Sequence, residues 1–522
     1  LIACANIAGL QIARASARER EQAVRVALGA SRVRLVRQAL MESVVLTAAG
    51  LAVGCVVAMV TAPVLLHYLP TILGSQIEPT FRGPVLLFVI AIAVVCSLLC
   101  GVVPAWHRTQ PGWFNALQEG GRSGSTSAVS HRARSTLVVA QIGLSLLLLV
   151  GAGLLVSSLR VLERVETGFD PRDLLSATVS LPKTVYDKDA KQAAFYSALE
   201  ERLGSIPGVS SAALTDSLPF SGNGGFNSFV IQGKPVGPND PGPHGGIRLA
   251  TPQYFSTLRI PILMGRTFTA QDRQGTQLVA VIDDVLARQY WPGENPIGQH
   301  LGFDQAKGPW YEIVGIVRHA RSASLEADGK EGFYYLAMSQ NPDSAASLVV
   351  RSSRDPESLR SDLAAAVRSV DSSIPIYDVK TMEERVNSSL IGRRFVVLLL
   401  TGFAGLALLL AALGLYGVIS YSVRLRTREM GVRMALGAQR GKVMQLVLLQ
   451  GMRMAVIGIV CGVLAAVALA HIFASLLFQI GVLEAIPWLV AICVLIAVVL
   501  LATYLPARRA ASIEPMQALR TE

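Results

Sequence analysis

The residues best placed to do chemistry in this chain are Gly437, Gly441 and Lys442, where Gly-Ala-Gln-Arg-Gly-Lys runs into Val443. A phosphate-binding loop needs four residues between its glycines and a Ser or Thr after the lysine. Its backbone amides then cradle phosphate while the hydroxyl holds magnesium. Here the spacing is one residue short and Val443 carries no hydroxyl, so the stretch cannot take a nucleotide. Asp283 and Asp284 are adjacent carboxylates that suggest a metal, but the bland reading, a solvated strand end, is favoured. Cys96 and Cys100 share a helix face with no His or acidic companion, which favours packing over metal binding. The chain holds no His-Glu-x-x-His. No catalytic, metal-binding or cofactor-binding constellation remains, and the chain reads as no enzyme in itself.

What does recur is a polar element. Val24-Arg25-Val26-Ala27-Leu28-Gly29-Ala30 returns as Val432-Arg433-Met434-Ala435-Leu436-Gly437-Ala438, with Arg20-Glu21 matched by Arg428-Glu429. Both copies lie between long apolar stretches, where lipid contact alone would not preserve a motif. The element reads as a docking surface presented twice, formed by Glu21, Val24, Arg25, Leu28 and Gly29 and by Glu429, Val432, Arg433, Leu436 and Gly437. The spacing of Glu429–Leu436 suits a short helix along the inner membrane face. Val432, Ala435 and Leu436 are expected to face inward and Arg428 and Arg433 to stay solvated. Gly437 stops the helix, and the next begins near Gln439. Glu429 and Arg433 are four apart, so they share a face and can pair. The alternative is an interfacial helix held by anionic membrane lipid.

The elements that position this motif are membrane spans. Hydrophobic residues make up 52% of the chain and charged ones 16%, with mean hydropathy +0.46, which marks an integral membrane protein. Six stretches are long enough to cross a hydrocarbon core of ~30 Å as helices: Ser43–Leu66, Val85–Ala105, Thr136–Ser158, Arg394–Ser420, Leu448–Leu477 and Pro487–Leu505. Leu1–Leu10 reads as the tail of a seventh. Without an initiating Met the chain reads as lacking its N-terminal part. Arg14, Arg18, Arg20, Arg25, Arg32, Arg34 and Arg37 share one connection, and Arg108, Arg122, Arg132 and Arg134 share another on the same side. Arg424, Arg426, Arg428, Arg433, Arg440 and Lys442, and the terminal Arg508, Arg509 and Arg520, fall there too. These basic loops and the C-terminus are therefore expected to be cytoplasmic. The net charge of +11 is topology signal and needs no nucleic acid. All six cysteines lie in spans, so no disulfide framework is implied in the exported part. Polar residues within spans are scarce, with Gln141 and His471 the main ones. This favours mechanical transmission over a conventional channel.

Internal repetition divides the chain. Pro104-Ala105-Trp106-His107-Arg108 corresponds to Pro506-Ala507-Arg508-Arg509-Ala510, and Gly50 and Gly54 correspond to Gly458 and Gly462. A first half ends near Gly120, Arg122–Ser130 reads as a flexible joint, and a new unit starts at Thr136. Its insert, about Arg160 to Arg393, has mixed patterning. Leu174–Leu181 and Val209–Thr215 read as strands around a helix at Asp189–Leu203. Ser347–Arg351 and Ile374–Val379 repeat that order around Pro356–Val370. Two such units make a ferredoxin-like layer. Ile247–Ala250, Val279–Ile282 and Tyr311–Val317 suggest a second, mainly β lobe.

The order of one span, an exported α+β domain and three spans resembles the MacB/FtsX-type ABC transporter permease family. The resemblance rests on Arg428–Ala438 and on Ala287-Arg288-Gln289-Tyr290-Trp291-Pro292-Gly293-Glu294-Asn295-Pro296-Ile297-Gly298. Two fused halves resemble the duplicated orphan permeases of acidobacteria. Arg20-Glu21-Gln22-Ala23 departs from the pattern by lacking the glycine of the second copy, and His107-Arg108 weakens the first tail. The resemblance implies a polytopic α-helical membrane protein with an α+β periplasmic domain, a ferredoxin-like porter lobe plus a mainly β lobe. It divides the chain into the end of a first FtsX-like half (1–120), a cytoplasmic linker (121–135) and a transmembrane helix (136–158). A periplasmic MacB-like core domain (159–393) and a second FtsX-like domain (394–522) follow. It places the protein in the bacterial inner membrane and makes each repeated motif a coupling helix for an ABC ATPase supplied in trans. A periplasmic adaptor or cell-wall enzyme is a further partner. The function implied is efflux or relocation of an amphiphilic or peptide-like substrate. The alternative is signal transmission to a cell-wall enzyme without transport, and a third reading is a scaffold that needs no ATPase.

Overall fold

The computed structural model describes residues 3, 6–7, 32–68, 83–108 and 124–512, except 223, 235–236, 238–241, 304–307, 323–324, 326–330, 470–476, 478–479 and 482. It divides into two compact units, Leu1–Val161 with Arg393–Glu522, and Leu162–Gly392.

The first unit is helical. Long apolar runs without charge satisfy their backbone groups internally, so they form helices wherever they are long enough. Those described are α1 (Arg32–Tyr68), α2 (Gly83–Arg108), α3 (Gly124–Leu162), α8 (Met382–Leu425), α9 (Thr427–Ala435), α10 (Arg440–Ala468) and α11 (Ala485–Ala511). Five of them, α1, α3, α8, α10 and α11, hold segments long and apolar enough to cross a membrane, and α2 carries a shorter apolar stretch over Gly83–Val95 among its described residues. Five of the six expected spans lie within these helices. The fifth is displaced: α10 starts eight residues before Leu448 and ends at Ala468 instead of Leu477. Position 471, the expected intramembrane histidine, lies outside the described residues. The joint expected at Arg122–Ser130 is helical from Gly124 on, because a helix propagated from the apolar turns after Thr136 tolerates Ser and Gly at a modest cost per residue.

Small residues set the helix crossings. A Cβ on Gly462 would stand 2.8 Å from the Gly143 carbonyl oxygen, and one on Gly143 would stand 3.2 Å from that of Gly458. Backbones of α3 and α10 therefore touch, and the buried Val138, Ile142, Leu146, Leu415, Val447, Leu495 and Val499 close around the crossing. Polar groups add bonds between helices. The Gln141 amide donates to Asn6 Oδ1 at 3.2 Å, the Asn6 amide to the Leu410 carbonyl at 2.9 Å, and Ser145 to the Ala407 carbonyl at 3.1 Å. Gln141 is thus a bonding group between helices.

The second unit is built on a sheet. Its strands are β1 (Leu174–Ser180), β2 (Val209–Thr215), β3 (Gly225–Ser228), β4 (Val230–Ile231), β5 (His244–Ala250), β6 (Ile262–Gly265) and β7 (Val279–Asp283). β8 (His300–Gly302), β9 (Trp310–Val317), β10 (Phe333–Ala337), β11 (Ala345–Ser352) and β12 (Tyr377–Thr381) complete it. Helices α4 (Asp189–Gly204), α5 (Tyr254–Leu258), α6 (Asp284–Tyr290) and α7 (Arg360–Val370) cover it. The order β12-β1-β11-β2, antiparallel throughout, is that of a ferredoxin-like layer. Leu175, Ala177, Leu348 and Val350 of its strands bury against Phe195 and Leu199 of α4 and Leu363 and Val367 of α7. The second lobe is not separate. Its strands continue the same sheet as β5-β10-β7-β9-β8-β4, joined through the Thr215–Ala250 pair, and β10–β5 and β7–β9 are parallel.

Candidate functional site

The repeated motif becomes α9. Its chain leaves α8 at Leu425, turns through Arg426 and starts a nine-residue helix that α10 follows after four residues. The helix ends in a Schellman arrangement. The Gly437 amide donates to the Met434 carbonyl and the Ala438 amide to the Arg433 carbonyl, both at 3.0 Å. That closure needs φ of +94° at Gly437, a value glycine adopts without the penalty a Cβ would bring. The stretch that mimicked a nucleotide loop is therefore this helix end followed by the start of the next.

The apolar side of α9 is turned opposite to expectation, while Arg433 stays solvated as expected and the Arg428 side chain lies outside those described. Met430 is 6% exposed and packs, with Met434, into the cluster of Val443 and Val447. Val432, Ala435 and Leu436 face outward, Leu436 at 82% exposure. The sequence permits both rotations, since apolar residues occupy 430, 432, 434, 435 and 436. Long unbranched methionines fill the irregular seat beside α10, leaving the branched residues outside. On the open side Arg433 donates to Glu429 at 2.6 Å, both about half exposed. Glu429 in the first turn and Arg433 in the last also complement the helix dipole. An exposed pair of this kind contributes ~0.3–0.5 kcal/mol, so it shapes the surface more than it stabilises the helix. Of the first copy, Glu21, Val24, Arg25, Leu28 and Gly29 lie outside the described residues.

The acidic pair of the sheet unit is also different from expectation. Asp283 is fully buried, not a solvated strand end. It accepts from the amides of Leu286 and Phe333 at 2.8 Å and from His319 Nδ1 at 2.6 Å. Burial raises its pKa against the lowering contact of His319. Asp284 accepts from the His319 amide and from Arg288. These oxygens cap α6 and tie β7 to the segments beside it, so they are structural ligands of backbone and side chains. Sequence reasoning also missed three buried arginines of the sheet unit. Arg248 donates to the Ser217 carbonyl at 2.6 Å and to Ser322, under the Phe333 ring at 5.0 Å. Arg351 reaches the carbonyls of Thr257, Arg172 and Asp170, and Arg385 reaches Ser176 and Asp378. A lone arginine inside an apolar strand run, as in Val349-Val350-Arg351, was the available signal.

Against known families, the FtsX-like permease C-terminal model matches residues 1–111 and 401–515, and the MacB-like periplasmic core domain model matches residues 135–378. The chain belongs to the MacB/FtsX-type ABC transporter permease family and is a multi-pass membrane protein. It is 26% identical over 272 residues to the pyoverdine export ATP-binding/permease protein PvdT of Pseudomonas syringae pv. tomato, a match covering 50% of this chain and 40% of that protein. It is 28% identical over 281 residues to the uncharacterized ABC transporter permease YknZ of Bacillus subtilis, covering 52% and 68%. The periplasmic region of MacB from Actinobacillus actinomycetemcomitans aligns at TM-score 0.30 and 13% identity, over 43% of this chain and 95% of that one. The chain thus spans well under half the length of PvdT.

Proposed function

We propose that this chain is the permease subunit of an ABC-type transporter and that ATP hydrolysis by a separate ATPase chain drives it. The ATPase docks on α9 and on the corresponding first-half element around Glu21, Val24, Arg25, Leu28 and Gly29. Its closure moves the spans and through them the exported α+β domain, which expels or relocates an amphiphilic or peptide-like substrate. The basic loops and α9 are cytoplasmic in this reading and Leu162–Gly392 is periplasmic, as the positive-inside distribution favours.

The observation that carries the reading is the open face of α9. A helix kept only for bilayer contact has no need to present Leu436 beside a Glu429–Arg433 pair at the tip of a turn fixed by Gly437. An apolar anchor ringed by charge suits a protein groove, with the charges setting orientation. The relatives support the coupling to ATP, since PvdT is named as an ATP-binding/permease protein.

Reversing Glu429 to Arg places like charges four residues apart and is expected to weaken ATPase docking ~10- to 100-fold, without altering membrane insertion. The change Glu21→Arg should add to it, because separate sites act independently. ATPase co-purification and permease-stimulated hydrolysis are measured for both single reversals and the double. Normal stimulation by the normally expressed double variant would remove the coupling role and leave a lipid-bound helix.

A further inference from the structure

Both connections between the sheet and the spans leave it at one end. Strand β1 follows α3 and β12 precedes α8, and the two strands pair with Leu175 opposite Thr381. The apolar span in α3 ends at Leu162, and Val165 is three residues beyond it, a reach of ~10 Å at most. Covalent reach therefore keeps this end of the sheet close to the membrane surface.

That end carries arginine. A cleft of about 420 Å³ is lined by Val165 and Pro261 and by Arg172, Arg259 and Arg318, with Glu166 and Asp170 as its carboxylates. Asp170 accepts from Arg172 Nε and Arg259 Nη1, each at 2.9 Å, and so holds both guanidinium groups in place. Asp173 and Glu383 also act on the charge of Arg172. Arg318 is the cation left open, exposed and with no side-chain partner among the described residues.

From Pro261 the chain enters β6, whose Ile262, Leu263 and Met264 are 52%, 45% and 48% exposed. Among the described residues β6 pairs on one side only, with β9, and a register shift leaves Leu263 outside the ladder. Ile262 stands opposite Val317, and the Arg318 amide donates to the Pro261 carbonyl at 2.9 Å. The open cation and the open apolar strand are thus neighbours. Three consecutive apolar residues on a free edge are a liability in water, one that proteins ordinarily blunt with charge. Beside a bilayer the same pattern is an interfacial anchor, its apolar tip in the acyl boundary and its arginine on phosphate.

We propose that this end of the sheet unit rests on phospholipid of the adjoining leaflet. Ile262, Leu263 and Met264 enter the upper acyl chains, and Arg318, beside Arg259, takes lipid phosphate. Lipid is favoured over a second protein because it supplies phosphate and acyl chain side by side, as Arg318 and β6 present their partners. The contact is independent of α9 and of any ATPase.

The test uses the full chain, without ATPase, in nanodiscs of phosphatidylcholine and phosphatidylglycerol. The phosphatidylcholine is plain or brominated near the top of its acyl chains, and wild-type emission is subtracted from that of each tryptophan variant. The emission added by Leu263→Trp is expected to drop by about half with bromine, since a side chain seated ~5–10 Å into the headgroup and acyl boundary lies beside it. Met264→Trp should behave alike. Val185→Trp is the control: it is 54% exposed and lies past Ser180, where β1 ends ~20 Å from Leu174, so it should lose nothing. Arg318→Glu, added to Leu263→Trp, sets a carboxylate against the phosphates and should remove the drop. Emission unchanged by bromine at both 263 and 264, as a protein cover on β6 would give, would overturn the proposal. So would an equal drop at Val185→Trp, or a drop that survives Arg318→Glu. Docking is read separately, from ATPase co-purification, so each reading can fail without the other.

Discussion

Gly458 and Gly462 of α10 and Gly50 and Gly54 of α1 occupy equivalent places in the two halves, yet their surroundings differ. The α10 pair lies against the backbone of α3 at Gly143. Around Gly50 and Gly54 no atom among the described residues lies within 4 Å of where a Cβ would stand. Among the described residues, the same spacing makes a helix crossing in the second half only. Paired glycines four apart permit two backbones to approach, and the energy comes from the contacts made after the approach. In the second half those contacts are Ile142 and Leu146 of α3, where no lipid chain could match the fit.

Breaking the comparison is most direct at the glycines. Gly462→Leu must displace α3 and is expected to cost ~1–3 kcal/mol, as overpacking of a tight core does. Gly54→Leu meets no described atom within 4 Å of its Cβ and is expected to cost less than Gly462→Leu. Retention of the monodisperse species after heating in detergent reads both. Equal losses would show that α1 is packed as tightly as α10.

The next effect concerns the helix end. Gly437→Ala forces a Cβ into φ of +94° and should cost ~1 kcal/mol locally. Gly29→Ala should cost as much if the first copy closes its helix in the same way. Amide exchange at Gly437 to Lys442, against 29 to 34, reports it. Loss of protection in only one copy would show that the repeated sequence does not repeat the cap.

The smallest effect separates bundle from sheet unit by pH. The Arg172 guanidinium beside Asp170, aided by Arg259, holds that carboxyl down to about 2 from 3.8. A lowered folded pKa gives stability that is full above about pH 4 and lost as the pH falls toward 2. Asp170→Asn should therefore lower the melting temperature of the sheet unit at pH 6 and lower it less at pH 3. The Gly462→Leu loss should not change over that range. A pH-independent Asp170→Asn loss would mean that packing, not charge, is what the carboxylate provides.

Much of this architecture was legible beforehand, for reasons that also mark the failures. Runs such as Val396–Leu410 can only be helices in lipid, and the two β-α-β patterns form the expected ferredoxin-like layer, in whose core Leu175, Leu348 and Leu363 lie. The union of both lobes in one sheet was not legible, because it hangs on the Thr215–Ala250 pair between distant strands. Arg248 and Arg351 were missed since period-two reading treats charge as outward. The rotation of α9 was missed since five apolar positions allow two faces, and only the shape of α10 beside it chooses.

The seat of α9 has a mechanical consequence. Met430 and Met434 hold that helix to the bundle through thioethers with several rotatable bonds, against Val443 and Val447. Branched side chains would lock one angle between α9 and α10. Methionines instead let the helix tilt by changing rotamers while its buried surface stays filled. Under the proposed docking role, this seat would let α9 change its angle to α10 without opening a void.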